Sequence, residues 1–416
     1  MGRAVFLNVS APGHVIPTFP LLRELVRRGE EVVYYETPAF QREIESFGAS
    51  FRAYPEVNGQ LAPQYINEFS VIPVLMWYAG EVLPKVLESV RADRPDYIIH
   101  DSLCVWGRLI ARVTAKPAIN SIATAAFCQR VFDEAPEFSS ILSAVLAEGA
   151  PIPALFDKYE REVRSVCGNE AIPILEVFMN SEPANICYLP RCLQPYAEKF
   201  DRSYHFVGSG EPTRQWEPEF SMADLDGRDL IYISFGTVHD PGPEFFRLAM
   251  RALGQMDAQV LALVSPAAYQ SLAADAPANF LMRPAGSVPQ LKILERANVF
   301  ITHGAGGGAR EGAWFGVPML AVPQTFEQTL LSRRIVECGA GLLMMPGEAS
   351  VERLRDQVGA LLQSREIQAG AAQLREAARS AGGPTSAADV ILAFVESSLH
   401  PASNPAEAGS RPRYWP

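Results

Sequence analysis

The chain has 416 residues and a formal net charge of −11, with 36 lysines and arginines against 47 acids. That balance excludes binding driven by a nucleic-acid backbone, which needs a basic face. Hydrophobic residues at 48% and charged residues at 20% describe a globular chain able to bury a core, and at roughly 150 residues per domain its length suggests two or three domains.

Ala4–Ser10 reads as a buried strand that enters a Pro-Gly-His turn. Leu21, Leu22, Leu25 and Val26 then recur at helical spacing. Glu31–Tyr35 is the next strand, with a helix over Pro38–Phe47. Tyr97–His100 is another strand, followed by a helix from Leu103. This β-α rhythm implies a parallel sheet with helices on both faces. It loosens between Phe51 and Pro95 and again between Phe127 and Phe178. Trp77, Tyr78, Phe127, Phe132, Phe138, Phe156 and Phe178 lie there, among prolines and mixed charge. They read either as ordinary core and loop aromatics or as an apolar acceptor pocket.

Gly208 to Gly227 shifts to Pro, Glu, Ser and Asp, a linker composition. A second series then places strands at Leu230–Phe235, Gln259–Val264, Phe280–Arg283, Val299–Thr302 and Met319–Val322. The expected fold is α/β: two Rossmann-like, doubly wound parallel-sheet domains over 1–207 and 228–384, joined by a linker at 208–227. A helix at 385–400 could dock on either domain, and a loose tail is expected over 401–416. The cysteines Cys104, Cys128, Cys167, Cys187, Cys192 and Cys338 form no C-x-x-C pair and read as reduced core residues. The apolar run Ala4–Val9 is too short for a secretory signal, and no uncharged stretch reaches the ~20 residues that span a bilayer. A cytoplasmic protein without a membrane partner is expected, as a monomer or homodimer.

His14 and Asp101 each sit at the carboxyl end of a predicted strand, the edge that faces the ligand crevice in an open α/β sheet. A histidine there can take a proton from a hydroxyl, or it can simply cap a turn. A carboxylate can orient that imidazole, or it can cap the helix before Leu103. The run Thr302-His303-Gly304-Ala305-Gly306-Gly307-Gly308-Ala309-Arg310-Glu311 follows an apolar strand and opens a helix. Its backbone N–H groups and the helix dipole suit a pyrophosphate; the alternative is a purely structural glycine turn. Glu311 is placed to take ribose hydroxyls. The run also fits a dinucleotide fingerprint loosely, so an NAD-dependent oxidoreductase is the rival reading. Asp224-Leu225-Asp226 lies in the linker and reads as solvated charge. No other group has metal-ligand spacing, and no metal or resident cofactor is expected.

These segments resemble the macrolide-type branch of the family 1 glycosyltransferases, the UDP-glycosyltransferase superfamily with the GT-B fold. The resemblance runs through Gly13-His14-Val15-Ile16-Pro17 with Pro20-Leu21, then Ser234-Phe235-Gly236-Thr237-Val238. It is most specific from Val288-Pro289-Gln290 to Gly341, including Ile301-Thr302-His303-Gly304, Glu311, Gly316-Val317-Pro318-Met319, Val322-Pro323-Gln324 and Glu327-Gln328. It implies two domains facing across a cleft and inversion at the anomeric carbon, with a UDP-sugar, UDP-glucose above all, as donor. The implied acceptor is a hydroxyl on a small lipophilic molecule such as a macrolide, polyketide or flavonoid. By the same resemblance His14 is the base and Asp101 its partner. Val288 and Gln290 face the uracil; Gly236, Thr237, His303, Gly304, Ala305, Gly306, Gly307 and Gly308 surround the diphosphate. Glu311 binds the ribose, and Glu327 with Gln328 the hexose. The chain departs from the family at Gly308, where a phosphate-facing hydroxyl is usual, at Glu327, usually Asp, and at Val288, a Trp in many relatives outside this branch, which leaves the nucleotide open between uridine and thymidine. A nucleotide-sugar binder without turnover remains a third reading.

Overall fold

A computed structural model describes residues 2–57, 71–135, 138, 151–168, 172–214, 217–236 and 240–400. The first half forms β1 (Arg3–Leu7), β2 (Glu31–Glu36), β3 (Ser50–Ala53), β4 (Tyr97–Asp101), β5 (Ala118–Ile122), β6 (Ala184–Cys187) and β7 (Tyr204–Phe206). The second forms β8 (Leu230–Ser234), β9 (Gln259–Val264), β10 (Phe280–Pro284), β11 (Val299–Thr302), β12 (Met319–Ala321) and β13 (Gly341–Leu343). They build two sheets, ordered β3-β2-β1-β4-β5-β6-β7 and β10-β9-β8-β11-β12-β13, with every pairing parallel. Helices cover both faces of each sheet, so central strands such as β4 and β8 are buried along their whole length.

The first sheet packs against α1 (Phe19–Arg27), α2 (Val71–Asp93), α3 (Val105–Thr114) and α4 (Pro151–Cys167). The stretches where the β-α rhythm loosens thus contain two long helices. On α2 the buried residues Ile72, Met76, Ala79, Leu83, Val86 and Val90 fall at i, i+3 and i+4 spacing. Pro73 and Pro84 hide that period, because proline ordinarily marks a helix end. Strand β5 was hidden for another reason: Asn120 and Ser121 are polar yet fully buried. Asn120 Nδ2 donates to the Met179 carbonyl at 3.0 Å, and Ser121 Oγ bonds the Tyr188 hydroxyl at 3.0 Å, which satisfies both inside the core.

The second sheet carries α5 (Pro243–Leu253), α6 (Gln290–Leu294), α7 (Gly306–Phe315) and α8 (Phe326–Glu337). The last helix, α9 (Gly383–Leu399), returns to the first domain. Its Ala387, Ala388, Ile391 and Val395 join Leu21, Leu22 and Leu25 of α1 in one buried cluster. Arg28 ties it down with bonds to Asp389 Oδ1 at 2.6 Å and the Thr385 carbonyl at 2.9 Å. Of the cysteines, Cys104 and Cys187 are buried and the other four partly so, all as free thiols; the core reading holds fully for those two. No helix among the described residues is long and apolar enough to cross a membrane.

Candidate functional site

Each sheet reverses its strand order once, between β1 and β4 and between β8 and β11. At such a switch point the connections leave in opposite directions and open a crevice at the carboxyl ends. His14 follows β1 and Asp101 ends β4, so the first crevice brings them together. His14 Nδ1–H donates to Asp101 Oδ2 at 2.8 Å. The other carboxylate oxygen accepts the Leu103 N–H at 2.8 Å, so Asp101 both orients the imidazole and organises the turn before α3. The His14 turn is pinned from below by Asn8, whose Nδ2 donates to the Tyr34 hydroxyl at 2.8 Å and to the His14 carbonyl at 3.3 Å. Asp101 is fully buried and the His14 side chain is 12% exposed. Burial alone would depress the imidazole, but the charge and hydrogen bond of Asp101, with the charge of Glu327, outweigh it and raise its pKa above 6.5.

The second crevice holds the glycine run. Gly304 has φ +74°, and a Cβ there would overlap Ser332 Oγ, so the turn out of β11 accepts only glycine without strain. Helix α7 starts at Gly306 with no side chain capping its N-terminus. Its first-turn N–H groups and positive dipole end are therefore open to an anion. Gly236, after β8, lies against the His303 ring, where a Cβ would sit 3.3 Å from Cε1. At Gly308 a Cβ would meet the Thr302 hydroxyl at 2.9 Å; the packing of β11 under α7 accounts for the missing side chain. Thr237 lies outside the described residues.

Gln290 and Glu311 meet beside this loop. Gln290 Nε2 donates to Glu311 Oε2 at 2.5 Å, its Oε1 accepts from the Tyr232 hydroxyl at 3.1 Å, and Arg214 of the linker holds Glu311 Oε1. Val288 is 4% exposed and packs with Leu263 and Ile293 in the core. Helix α8 begins under a Thr325 cap with Glu327 and Gln328 in its first turn. Glu327 Oε1 accepts the Ala125 N–H across the cleft at 3.1 Å, and Gln328 Oε1 accepts the Gln324 N–H at 2.8 Å. Gln328, 2% exposed, thus serves the helix start, while Glu327 ties α8 to the first domain.

A match to the model of the erythromycin biosynthesis protein CIII-like C-terminal domain covers residues 247–394. Over 403 residues the chain is 32% identical to an NDP-glycosyltransferase of Bacillus licheniformis, spanning 94% of this chain and 97% of that protein. The chain belongs to the macrolide-type branch of the family 1 glycosyltransferases. Oleandomycin glycosyltransferase of Streptomyces antibioticus is 27% identical over 402 residues, 93% of this chain and 89% of that one. The solved glycotransferase of kitacinnamycin superposes with TM-score 0.83 at 24% identity, over 95% of this chain and 99% of that chain. The two facing parallel sheets with a terminal helix are the GT-B fold.

In this glycosyltransferase the expected acceptor aromatics divide into two groups. Phe127, Phe132 and Phe138 cluster with ring centroids 5.1 to 5.8 Å apart, and Phe326 of α8 meets Phe138 at 4.8 Å. Trp77 and Phe156 belong instead to the core under α2 and α4, and the structure does not bring them to the first group. Asp224 and Asp226 pair with Arg283 at 3.2 Å and Arg228 at 2.6 Å. Asp226 N–H bonds Gln259, the first residue of β9, at 2.9 Å, which puts the pair at the amino ends of the strands, away from the crevice.

Two residues of the glycosyltransferase cleft escaped the sequence. Arg310, on α7, donates to the Ala123 carbonyl at the end of β5; a lone cation four positions after Gly306 was the available signal. Glu36 ends β2 beside the strand that leads to His14, fully buried, with Oε2 unpartnered. Burial, reinforced by Asp101, pushes its carboxyl up to about 7 against the bonds from Ser10 and Thr37. Its native pKa exceeds its unfolded value of 4.5, so its contribution to stability is fully present below pH 4.5 and lost as pH rises through about 7. Glu36→Gln is therefore expected to stabilise the protein at pH 8 by up to about 3 kcal/mol, with no gain at pH 4.5. Thermal unfolding of both forms across that range checks it; an equal shift at every pH would refute it.

Proposed function

We propose that the chain transfers glucose from UDP-glucose to a hydroxyl of a small lipophilic acceptor, with inversion. His14 Nε2 takes the acceptor proton as the oxygen attacks the anomeric carbon. The bond from that carbon to the β-phosphate oxygen breaks, and UDP leaves with its electron pair. Asp101 steadies the imidazolium that forms. The amides at the start of α7, with His303, meet the charge that builds on the leaving diphosphate. Glu311 and Gln290 take the nucleoside, Glu327 and Gln328 the sugar hydroxyls. The observation that carries this reading is the pairing of two switch-point crevices, one with a carboxylate-held imidazole and the other with an uncapped helix start. A non-catalytic binder has no use for the His14–Asp101 pair, and family membership sets the oxidoreductase aside. A cytoplasmic enzyme working as a monomer or homodimer fits this reading.

Mass spectrometry of macrolide, polyketide and flavonoid alcohols incubated with UDP-glucose is expected to show a hexose mass gain. We further propose that the reaction needs no divalent cation, because Asp224 and Asp226 are engaged by arginines on the far edge of the sheet. Turnover is expected to persist in excess EDTA. A loss restored by magnesium or manganese would overturn the metal-free reading, and product from a thymidine donor alone would overturn the choice of nucleotide.

A further inference from the structure

The cleft contains a buried cation, Arg310, that forms no salt bridge among the described residues. Arg310 is the fifth residue of α7 and 8% exposed. Helical side chains lean toward the N-terminus of their helix, and this one runs back over the turn to Gly306. A Cβ at Gly306 would lie 3.7 Å from Arg310 Nη1, and 3.5 Å from the Ala123 carbonyl oxygen. The guanidinium therefore stands beside the open N-terminus of the helix, on the face turned to the first domain. Its single hydrogen bond among the described residues goes to that carbonyl, a neutral group. Glu311, Glu327, Tyr188, Arg214 and His14 lie within electrostatic range, yet no carboxylate among the described residues forms a salt bridge with Arg310. Glu311 is taken by Arg214 and Gln290, and Glu327 by the Ala125 amide. Burial lowers the guanidinium to about 10, which leaves it charged at neutral pH.

A buried charge is costly unless it is paired, and arginine is suited to bidentate contact with phosphate. We propose that Arg310 binds the diphosphate of the nucleotide-sugar donor and neutralises the charge that grows on it as the glycosidic bond breaks. This rests on the reading that the start of α7 holds the diphosphate. Nη1 stays on Ala123, so one guanidinium joins the donor to the first domain and links diphosphate binding to closure of the cleft. The competing account is a latch between domains that never touches the ligand.

Calorimetric titration of uridine and UDP into wild type, Arg310→Gln and Arg310→Lys separates the two accounts, and thymidine and TDP serve as a second pair. Wild type is expected to bind UDP far more tightly than uridine; equal affinities would sink the diphosphate reading itself. Given that preference, Arg310→Gln is expected to lose about tenfold to a hundredfold in UDP affinity with uridine unchanged. Arg310→Lys is expected to recover part of the loss, and kcat to follow the same order. Uridine and UDP weakened equally, or UDP unaffected, would overturn the role of Arg310 while leaving the diphosphate site standing. Should Arg310→Gln unfold, the UDP-to-uridine affinity ratio of Arg310→Lys decides: a lowered ratio supports the contact and an unchanged one refutes it.

Discussion

His14→Ala lowers turnover on aliphatic alcohol acceptors by about 10²- to 10⁴-fold, the usual contribution of a general base, and leaves UDP binding intact. The imidazole lies in the first crevice and the helix start in the second, so removing one need not disturb the other. Asp101 and Glu327 raise the His14 pKa above 6.5 against the effect of burial, so the base form is lost as pH falls through that raised value. The wild-type kcat/KM is accordingly expected to rise with pH through a midpoint above 6.5, and His14→Ala to lack that limb. Asp101→Asn removes the charge that opposes burial, so its midpoint is expected to move to lower pH, with a smaller loss than His14→Ala. An acidic phenol is a poor acceptor for this test, because it needs little help in losing its proton. Near-normal turnover of His14→Ala on an aliphatic alcohol, or a pH limb unchanged in Asp101→Asn, would remove the dyad from the mechanism.

Glu311→Ala is expected to weaken UDP binding by about tenfold to a hundredfold, the range for a hydrogen bond to a charged group. Glu311 is 7% exposed, with one oxygen on Gln290 at 2.5 Å and the other on Arg214. A ribose that engages this carboxylate presents two hydroxyls to it and a deoxyribose only one. The loss should therefore be larger for UDP than for TDP, because a site built to bond a hydroxyl discriminates by leaving its own polar groups unpaired. Dissociation constants for the two diphosphates, wild type against variant, provide the measurement. Equal losses for both would place the ribose elsewhere. The variant also leaves Arg214 without its partner, so its thermal midpoint belongs beside the binding data.

The parts of this protein that local chemistry controls were legible in the chain. The strands β9 and β11 match the reading residue for residue, because a parallel strand covered on both faces is a continuous apolar run. His14, Asp101 and the glycine run stand at strand ends, where a change from apolar to polar or glycine residues marks the edge of the sheet. Helix α2 was not legible, since its prolines look like breaks, and β5 was not, since its Asn120 and Ser121 are satisfied by partners 59 to 67 residues away. Trp77 and Phe156 could not be told from Phe127 and Phe138, because all are aromatics in mixed composition and only packing assigns them to different clusters.

Local sequence determined which residues sit at strand ends and which backbone turns need glycine, because those depend on neighbours within a few positions. It could not determine the order of strands. That β1 lies beside β4 and β8 beside β11 follows from how the helices cover the sheets. Only that order turns His14 and Asp101 into a hydrogen-bonded pair 87 residues apart in the chain. The contacts of Arg310 with Ala123 and Glu327 with Ala125, and the return of α9 to α1, were likewise decided by tertiary structure. The first two are single polar bonds between the two domains and the third is apolar packing of one helix on another, and in none of them does a residue's own neighbourhood in the chain name its partner.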